Sequence, residues 1–141
     1  MSKSLVVALA TLVAMAVLSA AKAADVAPIL KVLRVGATYK VTGDTPFSLD
    51  AVGGQFRRDF IIEKIDGNRI EGTSEMYTKF HNTCGGTAPF SGEVREDGML
   101  AMRRHHEVSW CGKSTYVIGL TPQGTLEGEV AGARIKMELL R

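Results

Sequence analysis

Cysteine is scarce in this chain: only Cys84 and Cys111 occur in its 141 residues, too far apart for the Cys-x-x-Cys spacing of a metal or redox dithiol. Charge of one sign is scarce as well. Lys and Arg number 17 against 15 Asp and Glu, and two of the lysines, Lys3 and Lys22, lie in an acid-free stretch at the amino terminus. Without that stretch the formal charge is zero, so the basic pI of about 8.6 is no footprint of nucleic-acid binding. Aromatic residues make up 6% of the chain, with a single tryptophan, too few for the two aromatic girdles of an outer-membrane barrel. Gly-x-Ser-x-Gly and His-Glu-x-x-His do not occur, which removes the common hydrolase signatures. Gly112-Lys113-Ser114-Thr115 resembles the tail of a phosphate-binding loop, but Glu107 stands where the motif needs its first glycine and the segment leads into a strand pattern rather than a helix.

Only one long apolar run exists. It extends over the 14 residues Leu5 to Leu18, follows Lys3, and gives way to small residues ending Ala21-Lys22-Ala23. That order of basic start, apolar middle and small-residue end is the layout of a secretory signal peptide, and the run is shorter than the roughly 20 residues a spanning helix needs. The expectation is cleavage before Ala24, a mature domain of residues 24–141 with no membrane span, and a periplasmic or secreted location. In such a compartment an even pair of cysteines is normally bridged, which predicts a Cys84–Cys111 disulfide closing a 28-residue loop.

What is abundant is alternation. Tyr116, Ile118 and Leu120 alternate with Thr115, Val117 and Gly119; Leu126, Gly128 and Val130 alternate with Thr125, Glu127 and Glu129; Ile135, Met137 and Leu139 alternate with Arg134, Lys136 and Glu138. Period two means strands with one apolar face. Turn residues separate them at Pro122-Gln123-Gly124 and Ala131-Gly132, and further hairpins are signalled at Asp66-Gly67-Asn68 and Glu96-Asp97-Gly98. Strands are predicted over 37–42, 55–65, 69–79, 90–95, 99–108 and the three above, about eight in all, with loops over 43–54 and 82–89. A short helix is predicted between Asp25, as N-cap, and Arg34. Gly72 and Gly128 sit inside strands and mark sharp bends or close crossings. The predicted fold is all-β, an eight-stranded up-and-down barrel, with a two-sheet sandwich as the alternative; closing the meander removes exposed edges, which favours the barrel.

Arg103-Arg104-His105-His106-Glu107 is the densest polar run. If Leu100 and Met102 point inward, Arg104 and His106 follow them to one mouth of the barrel, where guanidinium and imidazole would suit an anionic ligand, while Arg103, His105 and Glu107 face water. The competing reading is a bulge that turns all five outward. His81, His105 and His106 show no metal-ligand spacing, and Met76, Met99, Met102 and Met137 read as core filling, so no metal or cofactor is expected. Glu71, Glu75, Glu93, Glu127 and Glu129 read as a solvated exterior paired with Arg95, Arg134 and Lys136, and no residue is singled out as catalytic. Trp110, beside Cys111, is either a seal over the disulfide or an anchor in a protein interface.

In outline the glycine-bounded meander resembles the avidins, the lipocalins and small periplasmic inhibitor barrels. The residues that mark those families are missing: avidin-like sites use several tryptophans, and no Gly-x-Trp of the lipocalin kind occurs around Ala37 to Tyr39. No functional residue is therefore carried over. The sequence points to an exported binding protein without enzymatic function, its partner a protein target to be bound or inhibited, because a barrel of this length fills its interior with its own side chains. A carrier of a small or anionic ligand is the second expectation and an enzyme of undefined chemistry the third.

Overall fold

The computed structural model describes residues 26–44, 55–77, 86–108, 111 and 113–141. The signal segment, Asp25, His81, Cys84 and Trp110 lie outside them, so the expectations that fall on those residues, the Cys84–Cys111 pairing included, are not addressed by the fold.

A helical turn, α1 (Pro28–Val32), precedes eight strands: β1 (Thr38–Asp44), β2 (Gln55–Asp66), β3 (Arg69–Tyr77), β4 (Gly86–Val94), β5 (Leu100–Arg104), β6 (Thr115–Leu120), β7 (Leu126–Val130) and β8 (Ala133–Leu139). Every strand pairs antiparallel with the next, and β8 returns to β1 with Val41 opposite Met137, so the sheet is a closed up-and-down barrel and not a sandwich. Closure leaves no sheet edge to be protected.

One face of each strand forms the core. Tyr39 and Val41, Phe60 and Ile62, Phe90, Leu100 and Met102, Tyr116 and Ile118, and Ile135 and Met137 are all buried. At the centre the Phe60 ring meets Phe90 edge-on with centroids 4.9 Å apart and Tyr116 at 5.3 Å, a geometry that sets the positive edge of one ring against the negative face of the next. The in-strand glycines are where backbones approach closely. A Cβ on Gly72 would lie 1.9 Å from the Ile61 carbonyl oxygen, and one on Gly128 1.8 Å from that of Val117. Opposite Gly72 the β2–β3 register slips, with Glu63 as the extra residue between Ile62 and Lys64, and the bulge bends β2 around the barrel.

Three details differ from the sequence reading. The helix is two residues shorter at each end: it runs from Pro28 to Val32, with Ala27 at the N-cap position and no side-chain bond there, because proline's fixed φ and missing N–H suit the first helical position. Strand β4 begins at Gly86, not Phe90, absorbing residues that read as loop; Pro89, opposite Thr73, fits there because its nitrogen faces β5 beyond the last paired residues, Phe90 and Arg104, where no ladder bond is lost. Strand β5 ends at Arg104 rather than Val108. His105 still donates its N–H to the Pro89 carbonyl at 2.7 Å, but Pro89 has no N–H to return, so the ladder stops.

Candidate functional site

The strand order sorts the connections by length. Gly67-Asn68, the turn from Arg95 to Met99, and the turn from Thr121 to Thr125 close one end as tight hairpins, and α1 covers that end with Ile29, Leu30 and Leu33 buried against the core. The opposite end receives the three long connections, 45–54, 78–85 and 105–114, together with the two-residue turn Ala131-Gly132. Long connections gathered on a rigid scaffold are where binding residues tend to be placed, so this end is the candidate site.

Its floor is cationic. Arg104 turns inward beside Met102 and is 2% exposed, while His105 next to it is on the surface, donating or accepting a 2.6 Å bond with Ser91 Oγ. The Arg104 guanidinium is engaged by the barrel itself: Nε donates to Ser74 Oγ at 2.6 Å, Nη2 to the Gly86 carbonyl oxygen at 3.0 Å, and Nη1 lies against Met76 Sδ. Ser74 Oγ passes the chain on by donating to the Ala88 carbonyl at 3.0 Å. One side chain thus ties β5 to β3 and β4 just below the long connections, through charge-assisted bonds of about 1.5–3 kcal/mol each. Arg104 is a strut of the mouth before it is anything else.

His106 is half-buried, and its Nδ1 accepts the Val108 backbone N–H at 3.1 Å, which holds the first turn of the 105–114 connection. With Nδ1 accepting, the neutral ring carries its proton on Nε2. Arg103 and Glu107 are both exposed, Arg103 by the alternation of β5 and Glu107 in the connection that follows it.

A second buried arginine escaped the sequence reading. Arg58 is 4% exposed on the inner face of β2, directly opposite Met76, whose sulfur touches Arg104, and its Nη1 donates to the Arg57 carbonyl at 3.1 Å. The same parity argument that placed Arg104 would have found it, since Arg58 shares a face with Phe60 and Ile62. On the outer face of that strand Arg57 grips Asp59 with two parallel bonds of 2.9 and 2.8 Å. The glutamates Glu127 and Glu129 stand opposite Lys136 and Arg134 across β7–β8. Arg95, expected to pair with a glutamate, instead holds Asp97 in its own turn, because the two are only two positions apart.

A shallow groove of about 1060 Å³ runs along the outside of the barrel over β7, β8 and β1, lined by Lys40, Thr42, Glu127, Glu129, Arg134 and Lys136 among others. Its acids and bases compensate one another, so it selects no ligand charge. Among the described residues no three His, Cys, Asp or Glu side chains converge as metal ligands. Comparison with known proteins adds no relative: no family model, no curated protein and no solved structure matches the chain.

Proposed function

We propose that this protein is exported to the periplasm or beyond, that residues 1–23 are removed on the way, and that the mature barrel is a non-catalytic binding module that engages a protein target with its long-connection end. The filled centre carries this reading. Phe60, Ile62, Ile70, Leu100, Met102 and Ile118 are essentially inaccessible around the aromatic cluster, so recognition falls to the surface at the rim. Cys84 and Cys111 belong to the connections that follow β3 and β5, which leave the barrel at the same end. A bridge between them would brace that end, and the chain-entropy value for its 28-residue loop is about 3–4 kcal/mol. The ion-carrier alternative is weakened by Arg104, whose guanidinium already serves Ser74, Met76 and Gly86.

Two measurements test the proposal. Intact mass of the protein recovered from cells should show loss of residues 1–23 and two hydrogens fewer than the dithiol; a retained leader or two free thiols overturns the compartment. Affinity capture from envelope or culture fluid should then retain one dominant protein, and a bait with Trp110→Ala and His106→Ala should lose it. Equal retention by a bait altered only in the hairpins of the opposite end is also expected. Capture that depends on those hairpins instead defeats the assignment of the site.

A further inference from the structure

The outer face of β4 and β5 holds a side-chain pair that the mouth of the barrel does not use. Ser91 lies on β4 and His105 one residue past the end of β5, and Ser91 Oγ stands 2.6 Å from His105 Nε2. The contact is open to water, with His105 exposed and Ser91 partly so. Both backbones are held in place. Ser91 sits in the ladder between Glu71 of β3 and Arg103 of β5, and the His105 N–H is tied to the Pro89 carbonyl at 2.7 Å. The imidazole therefore lies one diagonal step along the strands from Ser91, the separation across which long side chains on antiparallel strands meet.

A serine hydroxyl by itself is a poor nucleophile, and a base within hydrogen-bond reach activates it by taking the proton as the oxygen attacks. In the tautomer with its proton on Nδ1, the neutral His105 ring offers the Nε2 lone pair to the Oγ–H. The 2.6 Å separation falls within the reach of about 2.6–3.2 Å that such a transfer needs. Ser74 shows the opposite case. It is fully buried, its hydroxyl donates to the Ala88 carbonyl and its oxygen takes the Arg104 Nε–H, so it has neither access nor a base. His106 has committed its Nδ1 to the Val108 N–H. Glu71 and Arg103 flank Ser91 in register with one charge of each sign, so the surroundings favour a co-reactant by its reactivity and not by its charge.

We propose that Ser91 is a covalent modification site, acylated by activated carboxylic esters with His105 as its general base. Ser91 Oγ bonds to the ester carbonyl carbon while its proton moves to His105 Nε2. The bond from that carbon to the leaving oxygen then breaks, and the leaving group takes the proton from Nε2. One serine and one ester thus give one acyl-serine and one alcohol. The step consumes one acyl group per chain. It stands on the β4–β5 face alone and survives failure of the protein-target reading at the long-connection end.

The protein as recovered from cells is treated with p-nitrophenyl acetate and digested, and the acetyl groups are assigned by peptide mass. Ser91 should be acetylated in the folded chain ahead of every other serine and threonine, and should lose that lead once the chain is unfolded in denaturant. Ser91→Ala should remove that adduct alone. His105→Gln keeps a hydrogen-bonding side chain without a base, and should slow Ser91 acetylation by about 100-fold, the low end of what a positioned general base supplies. Its melting curve should match the wild type, as expected of a change at an exposed position. Adducts confined to lysines and the amino terminus overturn the proposal. So does a Ser91 rate that His105→Gln lowers by less than about tenfold, or a lead of Ser91 that persists in denaturant.

Discussion

Replacing Gly72 by alanine tests the account of how the barrel is closed. A Cβ there falls 1.9 Å from the Ile61 carbonyl oxygen, 3.0 Å from the carbonyl carbon behind it and 2.8 Å from Phe90 Cε1. The first two are backbone of the neighbouring strand, fixed in the β2–β3 ladder, and the third belongs to a ring wedged against Phe60. None of them is free to swing away. Overpacking of this kind costs about 1–3 kcal/mol and occasionally more, and a clash with backbone belongs at the upper end. Alanine returns about 0.4–1 kcal/mol by restricting the unfolded chain, which leaves a net loss of about 2 kcal/mol and a fall in Tm of roughly 8 °C at about 4 °C per kcal/mol. Gly119→Ala is the control, since its Cβ is crowded only by the side chain of Met99, with Sδ at 2.7 Å and Cε at 3.0 Å, on the outer surface where a flexible thioether can turn aside, while the Glu127 carbonyl oxygen lies at an ordinary contact of 3.7 Å. That variant should stay within about 0.5 kcal/mol of wild type. Denaturant titration of both, with unchanged slopes, is the measurement. If Gly72→Ala is as harmless as Gly119→Ala, the close approach of β2 and β3 is not what shapes the barrel and the reasoning fails.

Ala131 holds a positive φ of 48° ahead of Gly132 at 80°, the two left-handed positions of a tight hairpin. Ala131→Asn, which creates the Asn-Gly pair such turns prefer, should raise stability by about 0.5–1 kcal/mol in the same titration; a loss would mean that the turn has another geometry. Arg104→Met removes the donors to Ser74 Oγ and the Gly86 carbonyl and leaves those acceptors short of a partner, which should cost about 1–3 kcal/mol in thermal or denaturant unfolding. A loss under about 1 kcal/mol would show that the strut carries little of the mouth's stability. Asp97 titrates below its ordinary value of 3.8, chiefly because Arg95 bonds its carboxylate and then because the Met99 N–H does. A depressed folded-state value gives stability that is complete above the unfolded carboxyl range and is lost as pH falls through the folded value. Asp97→Asn should therefore be less stable than wild type at neutral pH, with the gap closing only in strong acid; a pH-independent gap would remove the ion pair as its cause.

Much of this was legible in the chain. The eight strands, their hairpin turns and the inward parity of Arg104 follow from period two and turn residues, because side chains on a strand alternate whatever lies beyond it. Parity also applied to Arg58, where two adjacent arginines masked the apolar rhythm of Phe60 and Ile62. The short β5 was less legible, since it ends when Pro89, on the other strand, fails to donate.

The local code fixed which residues of each strand face the same way, and that is why it reached the fold class and one buried arginine without any coordinates. It did not contain the pairing of β1 with β8, which needs the twist and register of all eight strands to accumulate to closure. Nor did it contain the partners of Arg104, which lie 30, 28 and 18 residues away at Ser74, Met76 and Gly86. The pairing of Thr38 with Leu140 and Arg141 likewise appears only when the two ends of the chain are laid side by side. Alternation acts between neighbours in sequence, whereas closure, charge burial and surface patches depend on which distant residues the completed barrel brings within contact.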